Sequence, residues 1–530
     1  MFRFALPGAR PERGSRLKLP PSLTIVAFTA LSQAVAIVTQ IYTASLFGSS
    51  PAMDAYVAAS ALPQYAVAVV VGAIGAVAVP SFTRAASGQD ERAFGAMLGQ
   101  LFSWMSAIGL ALTAGGLAFG GLLLQVSAPG LGADIAREAQ MLALLTWPSL
   151  LFLVLASFAT GACQTAGRFL SIALAPVAAA LAALGIMALT HYGLGSKSLA
   201  LSTTVSSIVQ VLVLGWSMRK LPGFRLSMFP IRPELRDLSM LFLPMVVCGV
   251  FARSMPLFER GFAAAFPQGV LSHVNYAGRI TMLLSTVLAS GLATVIFPRL
   301  AHWANESDHD GFVETASRGL RSMWMIVAPV TAIGCVLAQP LVGFVFRRGA
   351  FSDGDVLAVS SLLMCYLPAL AGMTLGSISS RLIYSLRQTR VLTIASAIEA
   401  VAYVGYTALL VNWLGASGLA WATVVLFTTS LIWHLWFVQS YTKRRIPMAS
   451  SMVRTAVCAG IAAGAAWLAS QAVAGDLAKS LLGGIMGLFA YGVSMWAVSR
   501  REIQELRIPQ VSGKAVISDG NAHLADSLTA

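Results

Sequence analysis

Long apolar segments alternate with short polar ones along almost the whole chain, and each apolar segment is long enough to cross a bilayer. A hydrocarbon core about 30 Å thick is crossed by roughly 20 helical residues, and a helix satisfies its backbone hydrogen bonds internally. The pattern therefore predicts an all-α membrane protein with about fourteen spans. Adjacent glycines, Gly115 and Gly116, allow a re-entrant kink in the third. The expected limits are 22–47, 56–80, 94–124, 139–163, 169–190, 199–218, 240–263, 273–298, 322–343, 356–385, 391–411, 418–441, 455–474 and 480–498.

Two of these spans resemble each other. Residues 54–84 and 274–302 both begin with an aromatic residue and alanine, continue through small apolar residues, and end with proline and a basic residue. Each is the second span of a six-span unit, so the match predicts a parallel repeat of two lobes with a cleft between them; a chance match of two proline-containing helices is the alternative. The expected divisions are a basic tail 1–21, an N-lobe 22–218, a connector 219–239, a C-lobe 240–441, two further spans in 442–498 and a polar tail 499–530.

Composition and charge agree with a membrane protein and give it an orientation. The chain is 57% hydrophobic and 11% charged, whereas soluble domains contain about 25% charged residues. The net charge is +14, and 26 of the 35 lysines and arginines fall in the tails and the loops on the same side as the tails. This bias predicts that both termini are cytoplasmic, and it explains the positive charge without nucleic acid as a partner. Arg347 and Arg348 lie in an expected outer loop and are an exception to this charge bias.

The sequence contains no motif of a soluble enzyme; a membrane-embedded polymerase or ligase is an alternative, although such enzymes usually have large outer loops, which are missing here. Its five cysteines are far apart in apolar segments, and its histidines have no metal-ligand spacing, so no metal or cofactor is expected. It contains no phosphate-binding loop of the GxxxxGK[ST] type, and the short loops leave no room for a catalytic domain. Any transport would have to be passive or driven by a coupling ion or the membrane potential.

Amides and hydroxyls lie along one face of the first span. Gln33 and Gln40 are two helical turns apart, with threonines beside them. One interpretation is a helix–helix interface joined by hydrogen bonds. The other is a wall of a water-filled cavity that binds a polar substrate.

Charged residues in the seventh and eighth spans point to an anion site. Arg253, Glu259 and Arg260 lie in the seventh span, and Asn275 and Arg279 lie in the eighth. An arginine at mid-bilayer costs about 2.5–3.5 kcal/mol on insertion scales, so these groups are expected to face protein or water. Arg253 and Arg260 are expected to share a helix face, and Glu259 can pair one arginine, which leaves a net positive site. Guanidinium groups suit phosphate oxygens, so a phosphate or pyrophosphate head group is the expected ligand, with snorkelling to the interface as the alternative for Arg260 and Arg279.

Several motifs resemble the MurJ/MviN family of lipid II flippases, which belongs to the MOP superfamily. They are "LFGSSPAMDAYVAASALP" (46–63), "FPQGVLSHVNYAGRITMLLSTVLASGLATVIFPRLA" (266–301), "PLVGFVFRRGAFSDGDV" (340–356) and "SRLIYSLRQTR" (380–390). The resemblance implies two six-helix lobes in a V, with two added helices forming a groove for a lipid tail. It also implies alternating access in the bacterial inner membrane, carrying an undecaprenyl-pyrophosphate-linked oligosaccharide to the outer leaflet. Arg279 matches the family arginine whose proposed role is contact with the head group.

The chain departs from the family in the first two spans. The family's first helix carries arginines and an aspartate where this chain has Gln33, Thr39 and Gln40, and the second span here is uncharged after its Leu–Pro. A neutral wall leaves two substrates open, lipid II and an exopolysaccharide or capsule repeat unit. The remaining alternatives are a small-solute or multidrug antiporter of the same superfamily and a membrane scaffold that transports nothing.

Overall fold

The computed structural model describes residues 21–88, 91–228, 233–305 and 308–498, and within these ranges it is built from seventeen α-helices without a strand. The predicted tails 1–21 and 499–530 lie outside the described residues, apart from Pro21. The helices are α1 Pro21–Phe47, α2 Pro51–Gly88, α3 Glu91–Ser127, α4 Ala133–Thr165, α5 Phe169–Leu194, α6 Lys197–Met218, α7 Pro233–Ala252, α8 Met255–Ala263, α9 Val270–Asn305, α10 His309–Val336, α11 Ala338–Phe346, α12 Asp353–Tyr366, α13 Ala369–Ser385, α14 Thr389–Leu414, α15 Ser417–Thr442, α16 Ala449–Gln471 and α17 Asp476–Val498.

Three of the expected spans are each divided into two helices. The breaks fall between α7 and α8, between α10 and α11, and between α12 and α13, and the last pair is bent by 41°. Pro256 is the second residue of α8, and Pro368 precedes α13, positions where proline is tolerated because no helical N–H is needed there. Twelve helical segments in the described ranges are long and apolar enough to cross a membrane, and α12 with α13 adds one more as a bent pair. The predicted all-α membrane fold is confirmed.

The third expected span is a single unbroken helix. Helix α3 is continuous, so the prediction of a re-entrant break at Gly115–Gly116 is wrong. Gly116 has a packing role instead, because a Cβ atom there would lie 2.1 Å from the ring of Trp147 on α4. The glycine lets the two helices approach closely, as small residues do between membrane helices.

This contact gives a stability prediction with a matched control. Gly116→Ala should lower the free energy of unfolding by about 1–3 kcal/mol, the usual range for an overpacked site. Gly115→Ala should leave stability unchanged or raise it slightly, since a Cβ there meets nothing within 4 Å and alanine favours the helix. Thermal unfolding of the detergent-purified variants would test this. Equal midpoints for the two variants would contradict the assigned contact.

The helices form two bundles. In the first, α2 packs on α4, α4 on α6 and α1 on α5; in the second, α13 packs on α15, α14 on α15 and α9 on α10, α12 and α13. Helices α16 and α17 pack on each other and against α10 and α11. We call the first group the N-bundle and the second, with α7 and α8, the C-bundle. The bundles meet through α2 against α7, α8 and α9, through α3 against α8, and through α1 against α11.

The bundles repeat each other in one register. Helix α4 begins at Ala133 and α12 at Asp353, α5 at Phe169 and α14 at Thr389, and α6 at Lys197 and α15 at Ser417. The number of residues between the two starting positions is the same in all three pairs. The turns match as well. Gly195 and Gly415 end α5 and α14 with φ of 54° and 60°, and Gly167 and Arg387 occupy equivalent left-handed positions with φ of 70° and 59°. The sequence indicated the repeat only in the second helix of each unit. In the structure, the repeat also includes the helices and turns that follow.

Candidate functional site

Two arginines of the C-bundle reach across to amides of the N-bundle. Arg260, near the end of α8, donates from Nη2 to Gln64 Oε1 on α2 at 3.0 Å. Arg279, on α9, donates from Nη1 to Gln40 Oε1 on α1 at 2.8 Å. Both guanidinium groups therefore lie between the bundles.

The two cations have no carboxylate partner. Arg279 and Arg260 are close enough to repel each other, and among the described residues neither forms an ion pair; their hydrogen bonds go to neutral amides. Tyr56 of α2 also lies near Arg260, and its hydroxyl is 2.7 Å from Thr203 Oγ1 on α6. The result is a net positive region in which the guanidinium N–H groups bond to glutamine side chains. An anion can displace these neutral acceptors.

Glu259 forms no close ion pair with a described arginine, contrary to the expectation, although it is near enough to Arg260 to attract it. Its Oε1 accepts hydrogen bonds from Tyr366 Oη at 2.6 Å and from Thr423 Oγ1 at 3.3 Å, both inside the C-bundle. Neighbouring residues on a helix point about 100° apart, so Arg260 faces the N-bundle while Glu259 faces the core of its own bundle. The carboxylate therefore offsets part of the charge of Arg260 from inside the C-bundle, without a hydrogen bond to it.

Arg253 is also placed differently from the expectation. It lies in the break between α7 and α8, so no continuous helix aligns it with Arg260. Its side chain is exposed, and its Nε lies 4.0 Å from the position of a Cβ on Gly72 of α2. Tyr384 of α13 is a further neighbour. No described interaction joins Arg253 to the other two arginines.

The remaining expected residues flank the arginines. Asn275 is half-buried on α9 one turn before Arg279, and Gln33 is exposed on α1 two turns before Gln40. Neither side chain makes a hydrogen bond to another described residue. The hydroxyls of Thr39 and Thr43 bond mainly to carbonyls of their own helix, so Gln40 is the group on α1 that contacts the positive site.

Gln64 was not among the site residues expected from the sequence. It follows Pro63 in a segment interpreted only as lacking the family's charges, and nothing in the local pattern separates it from a packing residue. Its neighbour Tyr65 donates to the carbonyl of Val250 on α7 at 2.7 Å. This contact brings α2 alongside α7, and the preceding residue, Gln64, faces α8.

Next to the arginines, a buried carboxylate of one bundle caps a helix of the other. Asp54, only 3% exposed, accepts hydrogen bonds from Gly269 N at 2.6 Å, Ser272 N at 2.8 Å and Ser272 Oγ at 2.5 Å. It lies in the first turn of α2 and contacts the first turn of α9. Two helix N-termini thus share one carboxylate.

A second carboxylate and two backbone contacts extend this junction. Asp355, in the first turn of α12, accepts from Ser49 Oγ and lies 3.0 Å from His273 Nε2. Tyr276 Oη donates to Gly48 O at 3.0 Å. Gly48 has a φ of +51°, and a Cβ there would lie 2.4 Å from Ala350 O, so glycine is required for the close approach.

Together these contacts close one end of the space between the bundles. Ala350 N donates to Ser45 O at 2.8 Å and completes the set. We call the group the interlobe seal; it consists of Ser45, Gly48, Ser49 and Asp54 on the N-bundle and Gly269, Ser272, His273, Tyr276, Ala350 and Asp355 on the C-bundle. One turn of α9 separates Tyr276 from Arg279, so the seal adjoins the positive site.

Comparison with known proteins gives consistent matches. A family model described as lipid II flippase MurJ matches residues 43–485. A curated relative from Rhizobium meliloti (strain 1021), a probable lipid II flippase MurJ, is 25% identical over 479 residues, which cover 86% of this chain and 88% of the relative. The lipid II flippase MurJ of Burkholderia cenocepacia is 25% identical over 67% of this chain and 70% of its own length.

Solved structures share the fold. A lipid II flippase MurJ in an inward closed conformation has a TM-score of 0.78 at 20% identity, covering 91% of this chain and all of that one. An inward-facing MATE multidrug transporter of the MOP superfamily has a TM-score of 0.67 at 16% identity, covering 80% of this chain and 99% of the other.

Proposed function

This chain belongs to the MurJ family of lipid II flippases, and from that premise we propose that it carries lipid II, a polyprenyl-pyrophosphate-linked saccharide, from the inner to the outer leaflet of the bacterial inner membrane by alternating access. The curated relatives with this activity cover most of the chain. The activity moves a lipid without making or breaking a covalent bond, so the protein acts as a transporter and not as an enzyme.

One observation carries the proposal. Arg260 and Arg279 project between the bundles and are held by Gln64 and Gln40 instead of carboxylates. A diphosphate offers charged oxygens that accept stronger hydrogen bonds from guanidinium than an amide does. The head group would therefore displace the two glutamines and lie between the bundles, with Asn275, Gln33 and Gln40 available to polar groups beside it.

The interlobe seal supports alternating access. With Asp54 and Asp355 bonded across the bundles, the end of the cleft next to Arg279 is closed, so substrate reaches the arginines from elsewhere along the bundle interface. Release of the substrate through the closed end of the cleft then requires the hydrogen bonds of the interlobe seal to break. Binding that draws Arg260 and Arg279 away from the N-bundle amides removes two of the bonds that hold the bundles together.

The site favours lipid II transport over a multidrug antiporter, because a net positive region without a paired carboxylate repels cationic drugs. An exopolysaccharide repeat unit on the same pyrophosphate carrier remains the second candidate, favoured by the neutral Gln40 where the family has charge. It differs in the sugar and not in the phosphate, so only a transport assay separates the two.

Complementation provides the direct test. In a bacterium depleted of its own lipid II flippase, expression of this chain should restore growth and the exposure of lipid II to a membrane-impermeant probe. Failure to do so at normal membrane abundance would contradict lipid II as substrate. Accumulation of a different lipid-linked saccharide when this chain is deleted from its own host would then identify the exopolysaccharide function.

The charge bias supports a topology with both termini in the cytoplasm, which places the interlobe seal on the outer side. A phosphatase that is active only outside the cytoplasm, fused after Ala530, should give no activity. A fusion in the α16–α17 turn at Gly475 should be active. The reverse result would invert the direction of transport proposed here.

A further inference from the structure

A second basic site lies at the end of α15. Lys443 ends the helix with a left-handed φ of 54°, a conformation that favours glycine, and the chain turns through Arg444 and Arg445. An open cleft of about 470 Å³ lies between this turn and one face of the helix, to which Ile432, Trp436 and others contribute. Its size is within the range of roughly 300–1,000 Å³ found for small-molecule sites.

Of the three basic residues at this cleft, only Arg444 forms an ion pair with a described residue. Arg444 is held by Asp310 of α10, with Nε 2.8 Å from Oδ1 and Nη2 3.1 Å from Oδ2. Lys443 and Arg445 are exposed and form no ion pair with any described residue. The mouth of the cleft therefore carries two positive charges that are available to a ligand.

The other wall is apolar and faces outward. Ile432 and Trp436 lie one turn apart on α15 and are 61% and 62% exposed. Helix α15 is long and apolar enough to span the membrane, and tryptophan beside basic residues is typical of the interface between hydrocarbon and head groups. The cleft thus joins an acyl-chain environment to a positively charged head-group position.

The repeat-related end of α6 is built differently. Trp216 occupies the position equivalent to Trp436, but the Lys220 ammonium lies 3.4 Å over the Trp216 ring. The chain then packs on α3, where a Cβ on Gly95 would lie 1.9 Å from Pro222 O. The N-bundle therefore has the same tryptophan with a lysine engaged on its ring, which makes this end of α6 an internal control.

We propose that the α15 cleft binds an anionic glycerophospholipid, with its phosphate on Lys443 and Arg445 and an acyl chain along Ile432 and Trp436. Anionic lipid is the occupant because the ligand must combine negative charge with a long apolar part. Basic residues near a membrane surface attract such lipids, each strengthening binding about fivefold. The site is separate from Arg260 and Arg279, and it does not depend on the transported substrate.

Native mass spectrometry of the purified full-length chain in detergent, with equal phosphatidylglycerol and phosphatidylcholine, tests the proposal. The wild type should retain phosphatidylglycerol preferentially. Lys443→Gln with Arg445→Gln should weaken that binding about 25-fold, the product of two such contributions. Arg219→Gln with Lys220→Gln removes the same charge at the equivalent end of α6 and should leave it unchanged.

Two further arms separate lipid from free phosphate. Inorganic phosphate should not compete with phosphatidylglycerol, and Trp436→Gln should weaken lipid binding although it removes no charge. Equal loss in both double variants would overturn the proposal in favour of general surface charge. Competition by phosphate, or unchanged binding in Trp436→Gln, would overturn it in favour of a simple anion site.

Discussion

Arg279→Gln should insert and fold normally yet reduce lipid II translocation about 10- to 100-fold, the factor that corresponds to a charged hydrogen bond worth roughly 1.5–3 kcal/mol. The guanidinium group already lies between the bundles with an amide as its partner, so the substitution removes charge without leaving a buried acid unpaired. Arg279→Lys should recover only part of the activity, because lysine keeps the charge but cannot bind a phosphate through two parallel N–H groups. Lipid II exposed to an external probe, normalised to protein abundance, is the measurement.

Arg348→Gln is the matched control. Arg348 is an exposed arginine whose guanidinium bonds to a carbonyl of its own segment, Phe344 O, so its loss should leave translocation unchanged. Full activity of Arg279→Gln, or equal losses in both variants, would remove Arg279 from the proposed head-group site. The assignment to the MurJ family would be unaffected, because it rests on the whole chain.

Asp54→Asn should shift the protein towards a state in which the interlobe seal is open. The carboxylate accepts three hydrogen bonds from the first turn of α9, whereas an asparagine presents one oxygen and an NH2 group that faces other donors. Losing one such charged bond, at about 1.5–3 kcal/mol, changes the ratio of closed to open molecules by about 10- to 100-fold. Transport should fall, because the seal no longer closes in each cycle.

Cysteine labelling measures this shift towards the open seal. In a background without the five native cysteines, a cysteine at Asn275, which lies in the α9 part of the seal one turn before Arg279, should react faster with a membrane-impermeant maleimide when Asp54 is replaced. Asp134→Asn changes an exposed acid in the first turn of α4 and should not affect the rate. Lost transport with unchanged labelling would instead indicate that Asp54 acts on the substrate.

The parts of the molecule set by local pattern could be predicted, and those set by contacts between distant segments could not. Apolar length located the helices, and the insertion cost of arginine predicted that Arg260 and Arg279 face protein or water. The pattern failed at Glu259 and Arg253 because the break before α8 changes which way each side chain points. It failed at Gln64 because only the position of α8 makes that amide a partner of Arg260.

Much of the interlobe seal consists of main-chain atoms: the amides of Gly269, Ser272 and Ala350 and the carbonyls of Ser45 and Gly48. No amino-acid replacement other than proline removes a backbone amide, and Gly48 tolerates little else in its conformation. An antibacterial compound that offered its own carboxylate to the Gly269 and Ser272 amides would compete with Asp54 for groups that point mutation cannot delete. Resistance would then have to arise by reshaping the surrounding backbone, a route that also damages the junction on which the transport cycle depends.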